Sequence, residues 1–174
     1  LVASTQEWET GVGILAPDLA LIERLELPTD TADFKGEHGI TTLLRDVRTY
    51  FPNSRLVPIM VSTKTTYEQV KRFANNLYDN CPDCLLIASV DFSHTSEADI
   101  ANLHDVYTER ELQQADASAL MNGAEVDSGA TLAALALWAK LHKAERFETF
   151  SNTNSGYITG IRVGEMTTHI IGGY

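Results

Sequence analysis

Apolar positions along the chain alternate between helical and strand-like spacing. From Ile40 to Phe51 the apolar residues Ile40, Leu43, Leu44, Val47, Tyr50 and Phe51 recur every three or four places, which predicts an amphipathic helix. Pro52-Asn53 ends it. Tyr67, Val70, Phe73, Ala74 and Leu77 trace a second helix face, opened by the capping box Thr65-x-x-Glu68. Asp18 to Leu25 reads as a short helix, Glu97 to Met121 as a long helical region, and Gly129 to His142 as an Ala/Leu-rich helix behind Asp127-Ser128. Two runs, Arg55–Val61 and Leu85–Val90, are short, apolar and rich in β-branched residues, so they read as buried strands. Thr29 to Gly36 is a polar, turn-rich loop. Near the end, Phe147–Phe150, Gly156–Val163 and Thr167–Gly172 read as strands, the last two as a hairpin around Gly164-Glu165-Met166.

Strands alternating with helices through the middle of the chain imply βαβ crossovers and a sheet covered by helices. The expected class is therefore α/β: a mixed, mostly parallel sheet flanked by helices, with antiparallel strands at the C-terminus. The 174 residues suit one domain spanning 1–174, since single cores usually take about 100–200 residues.

Charge narrows the function classes. The formal net charge is −11, from 24 acidic and 13 basic residues, a balance that repels a phosphate backbone. The basic pairs Lys71-Arg72 and Lys140 to Arg146 sit on helices or at their ends and form no stripe, so nucleic acid is not an expected partner. No apolar run reaches the roughly 20 residues of a membrane helix, so no membrane segment is expected in the chain. Cys81-Pro82-Asp83-Cys84 is a CxxC, but it follows a helix and precedes the Leu85 run, the reverse of a redox motif at a helix N-terminus. A second ligand pair for zinc is missing from the sequence.

The most informative segment is Ser89-Val90-Asp91-Phe92-Ser93-His94, where an apolar run passes straight into Asp, Ser and His. Strand ends of this kind line the binding crevice of α/β folds. A carboxylate accepting one imidazole N–H fixes the tautomer and raises the basicity of the other nitrogen. Asp91 and His94 are accordingly the candidate catalytic residues, with the alternative that Asp91 only caps a turn or helix. Glu37-His38 heads the second predicted helix, where Glu37 is favoured by the dipole and both residues could face the pocket. Asp127-Ser128-Gly129 is first an N-cap; a nucleophilic Ser128 would lack the G-x-S-x-G elbow. His104, His142 and His169 carry no partner visible in the sequence and read as surface or half-buried.

Taken in order, these segments resemble the Memo family, also known as AmmeMemoRadiSam system protein B. Trp8-Glu9-Thr10-Gly11-Val12-Gly13 is similar to the family's Trp-x-Thr-Pro-x-Gly, with Gly11 for Pro. Glu37-His38-Gly39-Ile40 resembles its Glu-His-Ser-Ile-Glu, and Leu56-Val57-Pro58-Ile59 its Val-Pro-Ile strand. Ala88-Ser89-Val90-Asp91-Phe92-Ser93-His94 is close to its Ser-Ser-Asp-Phe-Ser-His signature. Asn154-Ser155-Gly156 and Ile171-Gly172-Gly173-Tyr174 resemble its Asn-Ser-Gly segment and Val-Val-Gly-Tyr end.

The resemblance implies a fold like that of the class III extradiol dioxygenases and a metal pocket of two histidines and a cysteine. Carried over residue by residue, Asp91 and His94 become pocket residues, His94 the acid/base, with Glu37, His38, Ser93 and Ser128 lining the pocket. The family's histidine segments, Pro-His-Ala-Gly and Gly-Pro-Ser-His, would fall before Leu1, and Ser128 stands at the cysteine position. A neutral hydroxyl is a poor substitute for a thiolate, so the implied non-haem iron is expected to bind weakly or not at all. A small-molecule ligand is the implied partner and the cytoplasm the family's usual location, unless an export or anchor segment precedes Leu1. Two functions follow as expectations: a redox, dioxygenase-like enzyme in which Asp91 orients His94, or a non-catalytic binding or adaptor protein that keeps the fold.

Overall fold

Most helical periodicities become helices within a residue or two of the expected limits, whereas of the five stretches read as strands Leu85–Val90 and Gly156–Val163 form none where described and Arg55–Val61 forms one only in part. The computed structural model describes residues 1–30, 34, 36–94, 97–144, 146–161 and 164–174. These form two units, Leu1–Lys64 with Asp79–Asp83, and Thr65–Tyr78 with Cys84–Tyr174.

In the first unit, β1 (Val2–Ala3) pairs antiparallel with β4 (Ile59–Met60), and β2 (Trp8–Glu9) with β3 (Ile14–Leu15). The β2–β3 turn holds Gly11 at φ 74° and Gly13 at φ 139°, backbone that a side chain would strain. The Thr10 hydroxyl donates to the Gly13 carbonyl at 2.7 Å and closes the turn. Helix α1 (Leu19–Arg24) is capped by Asp18, whose carboxylate accepts from the Leu21 N–H at 3.0 Å. Trp8, Leu15, Phe34 and Leu44 form the core, with Trp8 and Phe34 edge to face at 6.5 Å. Leu44 comes from α2 (His38–Tyr50), the helix that the Ile40–Phe51 periodicity predicts. The polar loop expected over Thr29 to Gly36 lies partly outside the described residues.

The second unit is mainly helical. Helix α3 (Tyr67–Asn80) buries Val70, Phe73, Ala74 and Leu77, the face its spacing marks. The long region expected over Glu97–Met121 is two helices, α4 (Ala98–Gln113) and α5 (Ala117–Gly123). Between them Ala115 adopts a left-handed φ of 49°, and Asp116 caps α5 by accepting from the Ser118 and Ala119 N–H groups. Helix α6 (Gly129–Leu141) packs along α5. Gly129 permits the approach, since a Cβ there would lie 2.6 Å from the Leu120 carbonyl oxygen. Leu112, Leu120 and Leu132 are buried in this unit, each contributing roughly 2 kcal/mol of apolar transfer.

The C-terminal strands are β5 (Glu148–Asn154) and β6 (Thr168–Gly173), antiparallel with a bulge between Thr149 and Ser151. Gly156–Val163 is not a strand where described: Asn154 turns the chain into α7 (Ser155–Thr159) by accepting the Tyr157 N–H at 2.9 Å. The expected hairpin around Gly164-Glu165-Met166 therefore gives way to a β5–β6 pair that brackets α7; residues 162–163 lie outside the described ones.

The class is mixed α/β, as expected; a mostly parallel sheet is not seen among the described residues. Among the described residues the sheets are three antiparallel pairs, with parallel character only in the single bridges Ala3–Thr29 and Pro17–Leu56. Of the Arg55–Val61 run only Ile59–Met60 joins a sheet, and Leu85–Val90 joins none. A strand is defined by a hydrogen-bonded neighbour, and sequence pattern cannot supply one. Among the described residues, no helix is long and apolar enough to cross a membrane.

Candidate functional site

The turn from Asp91 to His94 is held at three points within the second unit. The Asp91 N–H donates to Asp127 Oδ1 at 3.1 Å, and the Asp127 N–H returns a bond to the Asp91 carbonyl at 3.0 Å. This reciprocal pair ties the turn to the segment leading into α6. The Ser93 carbonyl accepts from the Thr168 N–H at 2.9 Å and hydroxyl at 3.3 Å, which ties it to β6. The fully buried Ser93 Oγ lies 3.2 Å from Nδ1 of His104 on α4.

His94 is half-buried, and its Nδ1 lies 3.1 Å from the Phe92 carbonyl oxygen. A carbonyl can only accept, so Nδ1 carries the proton and, in the neutral ring, Nε2 keeps its lone pair. The backbone of Phe92 thus does the orienting expected of Asp91, whose carboxylate makes no hydrogen bond among the described residues. Asp91 is exposed and caps no helix either. Its charge instead acts on Asp127. Partial burial, then the charge of Asp91, push the Asp127 carboxyl above its ordinary value, against its bond to the Asp91 backbone and the pull of nearby His94.

Ser128 is the N-cap of α6. Its Oγ accepts from the Thr131 N–H at 3.4 Å and lies 2.7 Å from Thr131 Oγ1, a contact in which either hydroxyl can donate, so the Ser128 oxygen is engaged in the cap. Glu37 does the same for α2, accepting the Gly39 N–H at 2.8 Å, while the side chain of His38 is 81% exposed. Glu37 and His38 belong to the first unit; Asp91, Ser93, His94 and Ser128 belong to the second.

Three acidic or imidazole groups matter more than their sequence context shows. His104 is not partnerless: Nδ1 pairs with Glu125 Oε2 as well as meeting Ser93. Asp105, beside it on α4, is 1% exposed and accepts from the Thr168 hydroxyl at 2.7 Å, while its Oδ2 has no hydrogen-bond partner among the described residues. Burial pushes the Asp105 carboxyl up, and the charge of Glu109 adds to that, against the bond to Thr168 and the nearby Asn152 amide and Ser93 backbone. The third is Asp127. It was legible only as a cap, because its real partner is 36 residues away. His142 also has partners, bonding the Trp138 carbonyl at 2.9 Å through Nδ1 and meeting Tyr78 edge to face and Trp138 at a tilt.

Among the described residues, no three His, Cys, Asp or Glu side chains come together as a group that could hold a metal ion. Cys81 and Cys84 are both disulfide-bonded and offer no thiolate.

The family model for Memo-like protein matches residues 1–166, which takes in the hairpin at Trp8, the Glu37-His38 helix start, the Asp91–His94 turn and the α6 cap. The chain belongs to the Memo-like family. No curated protein matches it. As a Memo-like chain it combines the Asp-Phe-Ser-His turn with a serine that caps α6 where the resemblance places a cysteine.

Proposed function

We propose that this Memo-like chain binds a small molecule at the Asp91–His94 turn, with His94 as the proton-transferring group and the carboxylates of Asp91 and Asp127 beside it. The observation that carries the reading is the hydrogen bond from His94 Nδ1 to the Phe92 carbonyl. It leaves Nε2 as a preset acceptor, the state a general base needs. Asp127, whose carboxyl is pushed upward, can hold a proton at higher pH than an isolated aspartate and so supplies an acid within the same field. Ser93, fully buried, fixes the turn rather than meeting the ligand.

A redox, dioxygenase-like version of this site would need non-haem iron. The residues described do not fit that ion: His94 has no second and third ligand with it, and the Ser128 hydroxyl is engaged in the α6 cap. No chemical step is therefore drawn through iron. The engaged Ser128 favours the second reading, a non-catalytic protein that binds a ligand or partner on the same fold.

The reading is tested on the imidazole itself. The ¹⁵N shifts of His94 should report Nδ1–H at pH 8, and His94→Ala should abolish turnover while retaining the fold. An Nε2–H tautomer would sink the general-base assignment. If His94→Ala leaves ligand or partner binding unchanged and no turnover is found in the parent, the adaptor reading stands. Anaerobic titration with Fe(II) should give no stoichiometric binding; one tightly held ion per chain would restore the redox reading.

A further inference from the structure

Helix α4 carries large apolar residues on the side away from its buried face. That buried face is formed by Ala98, Ala101, Asp105, Thr108 and Leu112, so mostly small and polar groups point inward. On the opposite side Ile100, Leu103, Val106 and Tyr107 are each exposed by 48% or more. An amphipathic surface helix has the reverse pattern, and a contiguous exposed apolar strip marks a contact surface. Asp99 and Arg110 close the strip at its two ends, both exposed; Arg110 lies 4.0 Å from Glu111 with its side chain still 66% exposed. Asp99, Leu103, Val106 and Arg110 follow one another at intervals of four, three and four residues, the a/d spacing of a two-helix seam, with Ile100 and Tyr107 along one flank. The whole strip lies on one helix of the second unit.

We infer that this face of α4 pairs antiparallel with the same face of a second copy of the chain. The occupant is selected by the order of charges along the seam. A two-fold axis at the level between His104 and Asp105 is equidistant from Leu103 and Val106, and also from Asp99 and Arg110. It therefore sets Leu103 of one copy against Val106 of the other, and Asp99 against Arg110 at both ends, as a self-complementary two-fold contact requires. Ile100 and Tyr107 meet their counterparts along the flank. A parallel arrangement would instead set Asp99 on Asp99 and Arg110 on Arg110, and like charges in contact oppose it. The dimer is weak for two reasons. A seam from Asp99 to Arg110 is only about 18 Å long, well short of the ~800 Å² per partner of a standard interface. Each copy also carries −11, a general repulsion that the local ion pairs work against. The pairing is independent of the role of His94.

Sedimentation equilibrium of the full chain, from about 10 µM to about 1 mM, should show a monomer–dimer equilibrium with a dissociation constant on the order of 0.1 mM. Asp99→Arg and Arg110→Asp each turn both end contacts repulsive and should weaken the dimer about tenfold, the scale of two exposed ion pairs lost and reversed. An equimolar mixture of the two variants regains opposite charges at both ends and should associate about as well as the parent. Leu103→Ser, at an exposed position, removes the central apolar contact and should also weaken the dimer about tenfold. Far-UV circular dichroism checks that helix content is kept. The parent series and Leu103→Ser decide the matter even if a charge reversal perturbs the first or last turn of α4. A chain that stays monomeric at the highest concentration overturns the inference. So does a mixture that associates no better than either folded variant alone, which removes the antiparallel register. A dimer indifferent to Leu103→Ser overturns it as well, because the contact then lies on another face.

Discussion

Two aspartates in the second unit are pushed in the same direction for the same first reason, yet they do different things. Asp105 is enclosed, 1% exposed between α4 and β6, and its one hydrogen bond reaches Thr168. Asp127 remains accessible, with partial burial and the neighbouring charge of Asp91 acting together. The enclosed carboxyl is part of the scaffold: through Thr168 it reaches the Ser93 carbonyl and so steadies the turn from behind. The accessible one stands beside His94, where a ligand can meet it. Under the proposed function it is access together with a second charge, and not burial by itself, that sets Asp127 apart from Asp105.

The largest effect should come from breaking the enclosed side. Thr168→Val keeps the shape but removes the hydroxyl that serves both Asp105 and Ser93, leaving a buried acceptor unsatisfied. A loss of about 2 kcal/mol is expected in urea unfolding, with an unchanged dependence on denaturant. A loss no larger than that of a surface substitution would mean that the buried network contributes little and that the contrast between the two aspartates is only one of position.

On the accessible side the corresponding change is Ser128→Ala. It removes the N-cap of α6 next to Asp127, and caps of this kind contribute about 1 kcal/mol. The helix is otherwise held by Leu132, Ala133, Ala136 and Ala139 in the core, so the variant should stay folded. A change in the His94 ¹⁵N shifts on Ser128→Ala would show that the cap also governs the site; unchanged shifts are expected, because the turn is tied by Asp127 and Thr168 rather than by Ser128.

How far the sequence reveals this arrangement depends on the range of each interaction. The helices were legible because their determinants are local: a capping box at the start of α3, formed by Thr66 and Gln69 one residue on from the expected Thr65 and Glu68, Asp18 before α1, the spacing of Ile40 to Phe51 in α2. The division of the long region expected over Glu97–Met121 was not read, although Asp116, two residues before Ser118, offers a cap inside an otherwise helical run. Sheet pairing was not. Leu85–Val90 and Arg55–Val61 have the composition of buried strands, but composition says nothing of whether a neighbour lies alongside. At the site, the turn itself was visible as Asp91 to His94, and the Memo-like resemblance pointed to the same residues. What holds the turn was invisible, because Asp127, His104 and Thr168 lie 36, 11 and 75 residues from the groups they bond.

The smallest predicted effect separates the two aspartates most directly. A carboxyl raised above its ordinary value of 3.8 in the folded chain binds more protons folded than unfolded between those two points. Its stabilising contribution is complete below the unfolded value and is lost as pH rises through the folded one. Asp105 should contribute more of this than Asp127, because enclosure outweighs partial burial. There is also a proton to place. The Thr168 hydroxyl has one, and faces two acceptors, Ser93 O and Asp105 Oδ1. When Asp105 is neutral, its own proton can serve the Thr168 oxygen and the hydroxyl turns wholly to Ser93. Asp105→Asn, neutral at every pH, should flatten the decline in stability from about pH 4 upward, measured as urea midpoints at one-unit steps. Asp127→Asn should flatten it less, and Glu109→Gln should act in the direction of Asp105→Asn by removing a charge that raises the same carboxyl. If Asp127→Asn flattens the curve more than Asp105→Asn, the enclosed carboxyl is not the one that couples folding to protons, and the accessible site carries that linkage instead.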